Sequence, residues 1–186
     1  MKISITGHTK GIGLAFADLY QQKNYQVIGF SRSNGFDITD PDAVDQIINQ
    51  SQDADIFINN AHAWNHDAFA QTNLLFRLWE SWQGKKKTIV NIGSSLTMRW
   101  EKGPPDSITY RTAKKTLEES CEFLWNQNAW PNVCLMVPCL TDTARTRYRN
   151  DTNKVDPKHF VNLVDHCLSI KEFRIPVVKL AVNPLQ

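Results

Sequence analysis

The sequence predicts a single α/β domain over residues 1–186, in which helices cover both faces of a mostly parallel sheet of about seven strands, a doubly wound fold. Three observations predict it. Short apolar runs alternate with amphipathic helical patterns along the whole chain. A glycine-rich turn joins the first strand to the first helix. The length of 186 residues suffices for one substantial core but is short for two.

The strands are predicted from apolar runs bounded by turn residues. In chain order they are Lys2–Thr6, Tyr25–Phe30, Gly35–Ile38, Asp55–Asn59, Thr88–Ile92, Asn132–Val137 and Ile175–Val182. Before the very short third strand, the segment SRSNG leaves no room for a crossover helix of about a dozen residues. We therefore expect the crossover helix between strands two and three to be missing.

The helices are predicted from apolar residues at helical spacing. Asp40 and Asp156 are each followed by proline, a pair that favours a helix start. The longest helix is expected from about Ile108 to Asn126. The last connection holds one loop and one helix, so the substrate-covering region is expected to be reduced. The buried faces are predicted at Ile12, Ala15, Phe16, Leu19 and Tyr20, then Val44, Ile47 and Ile48, then Leu75, Leu78, Trp79 and Trp82, then Phe160, Val161, Val164 and Leu168.

The composition restricts the partners and the compartment. A net charge of +2 is too small to indicate nucleic acid or a membrane as a partner. No apolar run approaches the roughly 18 residues of a membrane span, and MKISITG enters a strand at once, without a signal peptide. The four cysteines have no metal-like spacing, so no metal site is expected and reduced thiols are the default. The expected location is cytoplasmic.

The glycine pattern Thr6-Gly7-x-x-x-Gly11-x-Gly13 follows a strand and opens a helix. In that context glycines let the backbone approach a dinucleotide pyrophosphate, and the helix N-terminus offers N–H groups and a positive dipole end. A glycine-rich turn without a ligand is the alternative.

Four motifs together resemble the short-chain dehydrogenase/reductase family. They are the glycine pattern, Asn59-Asn60-Ala61, Asn91-Ile92-Gly93-Ser94 and Tyr110-x-x-x-Lys114, in that order. The resemblance extends from residue 1 to about 143. It implies a Rossmann-type fold, a nicotinamide cofactor and a small carbonyl or alcohol substrate. It also implies a homodimer or homotetramer, paired through the helices that carry residues 75–82 and 117–125.

Charge favours NADP(H) over NAD(H). An acidic residue after the second strand would bind an NAD ribose, whereas this chain has Ser31-Arg32 there, with Lys10 in the glycine turn. Two ordinary surface cations are the alternative. The resemblance also assigns an adenine contact to Asp37. The full set expected to hold the cofactor is Gly7, Thr9, Lys10, Gly11, Ile12, Gly13, Ser31, Arg32, Asp37, Ile38, Asn60, Ala61, Tyr110, Lys114, Pro138, Leu140 and Thr143.

Tyr110 and Lys114 lie four residues apart on one helix face. A tyrosine pKa of about 10 is too high for proton transfer at neutral pH, and a nearby ammonium lowers it. A serine hydroxyl just past the fifth strand can bind the substrate oxygen; the residues leave Ser94 and Ser95 open, and the resemblance selects Ser94. The resemblance adds Asn73 as the fourth catalytic residue, in a water-linked relay through Lys114, although an ordinary polar helix residue is the alternative.

Two departures from the family touch the cofactor pocket, since His62 and Cys139 replace glycines. They leave open a cofactor-binding sensor or scaffold with little catalysis. An epimerase or dehydratase with the same Tyr–Lys pair is a third possibility. On the substrate side, Trp64, Trp100 and Tyr148 could line an aromatic slot or simply pack. Arg145, Arg147 and Arg149 could bind an anionic substrate, assist the cofactor phosphates or remain solvated.

Overall fold

The computed structural model describes residues 1–63, 67–98, 108–144, 146, 154–172 and 174–181. Within these residues six strands form one parallel sheet, in the order β2-β1-β3-β4-β5-β6. The strands are β1 (Lys2–Thr6), β2 (Gln26–Phe30), β3 (Ile56–Asn59), β4 (Thr88–Ile92), β5 (Asn132–Val137) and β6 (Val177–Lys179). The doubly wound α/β class is confirmed, with one strand fewer than predicted.

Five α-helices connect the strands in the described part of the chain. They are α1 (Gly11–Gln22), α2 (Pro41–Gln50), α3 (Ala70–Ser81), α4 (Ile108–Asn126) and α5 (Pro157–Ser169). Both predicted caps form, because the carboxylate of Asp40 accepts from the N–H of Asp42 and that of Asp156 from the N–H of Lys158. Each cap satisfies a backbone donor that has no partner inside the helix.

The predicted third strand, Gly35–Ile38, is wrong. Gly35 has a left-handed φ of 90°, and the N–H of Phe36 returns to the carbonyl of Ser31, which makes a turn instead of a strand. The ring of Phe36 then packs edge-on against Phe30. A parallel partner for β2 would need a crossover of about a dozen residues, and this turn is far shorter. The chain instead passes through α2 to β3, on the other side of β1.

The core has two layers, one on each face of the sheet. Helices α2, α3 and α4 cover one face, where Val44, Leu75 and Leu117 pack with strand residues such as Phe57. On the other face, α1 and α5 bring Phe16 and Phe160 against each other and against the sheet. The last predicted strand, Ile175–Val182, is shorter than expected, since β6 spans only Val177–Lys179. None of the described helices combines the length and apolar character needed to cross a membrane.

Candidate functional site

The strand order reverses between β1 and β3, so a crevice opens at their carboxyl ends. β1 lies between β2 and β3, and the chain leaves β1 into the glycine turn that begins α1. Because all six strands are parallel, the segments that follow β1, β2, β3, β4 and β5 meet at this edge. Every catalytic and cofactor residue expected from the sequence follows one of these strands.

The glycines of the turn are required by its geometry. Gly7 and Gly11 have left-handed φ values of 70° and 56°, which glycine adopts without strain. A Cβ on Gly13 would lie 2.1 Å from the carbonyl oxygen of Gly7, so a side chain there cannot fit. The turn therefore leaves an open backbone cradle at the N-terminus of α1, a cradle that fits the pyrophosphate of a dinucleotide.

Asn60 and Thr6 fix the turn to the end of β3. The amide nitrogen of Asn60 donates to the carbonyls of Thr6 (3.0 Å) and Gly7 (3.4 Å). The hydroxyl oxygen of Thr6 accepts from the N–H groups of Asn60 (3.0 Å) and Ala61 (3.1 Å). Asn60 and Ala61 thus lie at the crevice, as expected, but the Asn60 amide is engaged in holding the turn.

The basic residues expected to select NADP(H) lie in the glycine turn just before α1, at Lys10, and just after β2, at Arg32. The N–H of Gly7 donates to the carbonyl of Phe30 at 2.7 Å, so the turn and the end of β2 are in contact. Ser31 follows and is buried, with its N–H and its hydroxyl both bonded to the side chain of Asn34. Thr9, Lys10 and Arg32 are exposed on this side. The result is a short, hydrogen-bonded turn after β2, with the exposed cations of Lys10 and Arg32 on this side.

Asp37 and Ile38 have structural contacts of their own. One carboxylate oxygen of Asp37 accepts from the N–H of Thr39 (3.0 Å) and from its hydroxyl (2.9 Å). Ile38 is buried in the core layer that contains Phe30 and Val44. The structure thus gives both residues a role in the turn before α2, and the adenine contact of Asp37 stays a prediction.

The loop after β5 contacts the glycine turn through Thr143. Thr143 lies so close that a Cβ on Gly11 would be 3.2 Å from its methyl group. The carbonyl of Leu140 accepts from the N–H of Val155, and Thr141 forms a parallel bridge with the same residue. Pro138 and the buried Cys139 continue directly from β5. Thr143 therefore lies against the glycine turn, while the cofactor contacts expected of Pro138, Leu140 and Thr143 stay predictions.

Tyr110 has the ammonium of Lys114 and the imidazole of His62 as neighbours. The Nζ atom of Lys114 is 5.7 Å from the centroid of its ring. The ring of His62, the residue in place of the family glycine, meets it edge-on with centroids 4.8 Å apart. Lys114 is itself buried and donates to the carbonyl of Ile92 at 2.9 Å, which joins α4 to the end of β4. Ser94 follows Ile92 by two residues and is buried at the same strand end.

The structure does not bring Asn73 to this group. Asn73 is exposed, and its amide nitrogen donates to Asp67 at 3.4 Å. The amide that faces Lys114 belongs to Gln71, whose side-chain oxygen accepts from the ammonium at 2.7 Å. Sequence reasoning missed Gln71, because the motif marks Asn73 and no local pattern links Gln71 with a lysine 43 residues away.

The substrate side is described in part only. Six residues with suggested substrate contacts lie outside the described residues, namely Trp64, Trp100, Arg145, Arg147, Tyr148 and Arg149.

Comparison with solved structures supports the fold. A 3-alpha-hydroxysteroid dehydrogenase from a Pseudomonas species, complexed with NADH, matches with a TM-score of 0.77 and 16% identity over 97% of this chain and 95% of its own. A 3-ketoacyl-(acyl-carrier-protein) reductase from Brucella melitensis with NADH matches with a TM-score of 0.76 and 17% identity, covering 97% and 96%. A small-chain dehydrogenase in complex with NADPH gives 0.73 and 16%, covering 98% and 96%. No sequence among the curated proteins matches this chain.

The family assignment comes from the sequence as a whole. The profile of the NAD-dependent epimerase/dehydratase family matches residues 3–155, which include the glycine turn, the ends of β3 and β4 and the Tyr110–Lys114 pair. The chain therefore belongs to the NAD-dependent epimerase/dehydratase family, within the short-chain dehydrogenases and reductases, and the family's description names a nicotinamide cofactor.

Proposed function

We propose that this protein is an NADP(H)-dependent oxidoreductase that reduces a carbonyl to an alcohol, or catalyses the reverse, with Tyr110 as the general acid and base. The observation that carries the proposal is the buried ammonium of Lys114, held at the end of β4 and 5.7 Å from the centroid of the Tyr110 ring. A positive charge at that distance stabilises the phenolate relative to the phenol. Solved structures of the same fold hold NADH and NADPH.

Each residue of the site has a chemical task in this proposal. When bound, the cofactor supplies or takes up the hydride. In the reductive direction Tyr110 donates a proton to the carbonyl oxygen, and in the oxidative direction its phenolate accepts the proton. The hydroxyl of Ser94 orients the same oxygen and stabilises the charge that develops on it. Lys114 keeps the phenolate accessible near neutral pH.

Substitution of the phenol tests the chemistry. Tyr110→Phe removes the only atom of this side chain that can carry the proton, so kcat is expected to fall by about 10²- to 10⁴-fold. NADPH binding, followed by fluorescence, is expected to remain close to wild type. The assay is NADPH oxidation over a panel of carbonyl compounds, with the reverse reaction over alcohols.

Three outcomes separate the alternatives. Turnover that survives in Tyr110→Phe would assign the proton to another group. Tight NADPH binding without turnover of any compound would favour a cofactor-binding sensor, with the His62 ring against Tyr110 as the feature that separates it from the enzymes. Interconversion of nucleotide sugars without net consumption of NADPH would instead assign an epimerase, in accordance with the name of the family.

The preference for NADP(H) rests on Lys10 and Arg32 at the rim of the glycine turn. A guanidinium and an ammonium there can bind the 2′-phosphate that distinguishes the two cofactors. Lys10→Ala/Arg32→Ala is expected to weaken NADPH binding by about tenfold or more and to leave NADH binding nearly unchanged. Lys86→Ala, which removes an exposed cation after α3, is the matched control. Equal losses for both cofactors would overturn the preference.

We also propose that two copies pair through α3 and α4. Residues Leu75, Leu78, Trp82 and Leu117 belong to the internal core, so they do not form the contact. The outward face instead exposes Ile108 (62%) and Phe123 (59%), which line a groove of about 620 Å³ with Phe76. Phe123→Glu should yield monomers by light scattering, whereas Leu14→Glu, an equally apolar exposed site on α1, should not. A monomeric wild type would contradict the pairing.

A further inference from the structure

The side chain of Gln71 makes three hydrogen bonds in the catalytic region, one of them with Lys114. It lies in the first turn of α3 and is 2% exposed. Its amide nitrogen donates to the carbonyls of Asn59 (2.7 Å) and Ile92 (3.2 Å), at the ends of β3 and β4. Because the amide N–H groups are directed to those carbonyls, the side-chain orientation is fixed and its oxygen faces Lys114.

Lys114 needs such an acceptor because its charge is buried. The side chain is 4% exposed, and an ammonium taken out of water is costly unless hydrogen bonds replace its hydration. The carbonyl of Ile92 accepts one of its hydrogens and the amide oxygen of Gln71 accepts another, at 2.7 Å. Both acceptors are anchored to the ends of the central strands, so they restrict where the ammonium lies relative to Tyr110.

We propose that Gln71 is a positioning residue that holds the ammonium of Lys114 beside Tyr110 by a direct hydrogen bond, in place of a water-linked relay through Asn73. The inference rests on the proposed function, since it assigns Gln71 a task only if Tyr110 transfers the proton. Gln71 acts through Lys114 and has no contact with the reacting atoms in this proposal.

A purely structural role must be separated from positioning, because Gln71 also joins β3 to β4. Asn91 offers the matched control. It is fully buried in the same network, where its side-chain oxygen accepts from Asn59 at 2.8 Å, and none of its hydrogen bonds in the structure joins it to Lys114. Loss of either amide should therefore lower the stability of the same strand ends, but only loss of Gln71 should release the ammonium.

The test is a titration of Tyr110 itself. Tyrosinate absorbance is followed against pH in the full-length protein, and subtraction of the Tyr110→Phe spectrum isolates this phenol from the other tyrosines. The same subtraction is made in a Gln71→Met background, since methionine conserves the volume and removes the acceptor. His62 and Arg111, which lie beside Tyr110 in space and in sequence, stay unchanged throughout.

Loss of the acceptor lets the ammonium move away, so the phenolate loses its stabilising charge. The Tyr110 midpoint in Gln71→Met is expected to rise by about one pH unit. With a substrate from the panel, the alkaline rise of the oxidation rate should move by the same amount, and kcat at neutral pH should fall about tenfold, while KM changes less. Asn91→Leu should lower the urea midpoint without moving the titration.

Different results would contradict the proposed function and the positioning role of Gln71. A wild-type Tyr110 that titrates at the ordinary tyrosine value near 10 would overturn the proposed function itself. A low wild-type midpoint that stays in place in Gln71→Met, or that moves equally in Asn91→Leu, would overturn the positioning role alone. Gln71→Asn keeps an amide but shortens its reach, so it gives the same decision if Gln71→Met does not fold.

Discussion

The two sides of the carboxyl edge are held together by different forces. On the glycine-turn side, defined by β1, β2 and α1, backbone atoms meet so closely that several positions have no space for a side chain. A Cβ added to Gly13 would lie 2.1 Å from the carbonyl oxygen of Gly7. A Cβ added to Gly29 would lie 2.3 Å from the ring of His8. Steric fit therefore determines the geometry of this side, and Asn60 at the end of β3 holds the turn in place.

The lysine side, defined by β4, β5, β6 and α4, depends on buried polar and charged side chains. Lys114 bonds to Gln71 across 43 residues, and Glu118 pairs with Lys179 of β6. Such pairs offset the cost of taking charge out of water. We therefore expect added side-chain volume to disturb the glycine-turn side most, and changes of charge or pH to disturb the lysine side most.

The largest effect is expected from Gly13→Ala. Its Cβ would lie 2.1 Å from the Gly7 oxygen, so the turn itself must shift. We expect NADPH affinity to fall about 100-fold, which corresponds to roughly 3 kcal/mol of strain and lost contacts. Isothermal titration calorimetry measures the loss.

Gly84→Asn is the control for Gly13→Ala. Apart from Gly84 and its chain neighbours, no atom in the described part of the chain lies within 4 Å of the position that a Cβ on Gly84 would take, so a side chain fits there. Gly84 has a φ of 73°, a conformation that asparagine tolerates. Binding should stay at the wild-type level. If Gly13→Ala bound NADPH as tightly as this control, the glycine-turn side would not be sterically limited.

A smaller effect is expected from Gly29→Ala, on β2. The new methyl group would meet the His8 ring at 2.3 Å, so the ring must rotate away, at a cost of about 1–2 kcal/mol of unfolding free energy. Removing the ring should remove the conflict. In the His8→Ala background the same substitution is therefore expected to cost little, and urea unfolding of the four proteins gives the coupling energy. Equal costs in both backgrounds would refute the steric interpretation.

The same contrast explains what the sequence could predict. The glycine turn, the two Asp–Pro helix starts and most strands follow from residues that are neighbours in the chain, and the structure confirms these elements. The predicted strand Gly35–Ile38 failed because a short apolar run cannot show whether a sheet edge lies within reach. Its glycine served a left-handed turn instead.

The candidate site shows more clearly which contacts local sequence patterns cannot predict. Tyr110 and Lys114 are linked by helical spacing, so their proximity follows from the sequence alone. The partner of Lys114 depends on how α3 packs beside α4, which no local pattern encodes. Asn73 and Gln71 are two residues apart on α3 and therefore point to different faces, one to solvent and one to the buried ammonium. The motif marks the helix, but the amide that meets the ammonium lies on another face of it, at Gln71.

The smallest effect is expected in the pH dependence of fold stability, through Glu118 on the lysine side. Burial alone would raise the pKa of the Glu118 carboxyl, but its ion pairs with Lys179 and Lys115 outweigh burial and lower the pKa below the ordinary 4.5. Because the folded-state pKa is the lower one, the carboxylate stabilises the fold fully above about pH 4.5 and loses this contribution as the pH falls through the folded value.

Lys179→Met should weaken this dependence. With the main partner removed, the folded pKa of Glu118 rises, so we expect a loss of about 0.5 kcal/mol in unfolding free energy at pH 7 and a flatter decline on acidification. Urea unfolding at several pH values between about 7 and 3.5 measures both quantities. Lys86→Met, at an exposed position after α3, should keep the wild-type slope. If acidification destabilised Lys179→Met as steeply as wild type, the charge pair between β6 and α4 would not be what makes the lysine side sensitive to acid, and the contrast with the glycine-turn side would rest on Lys114 alone.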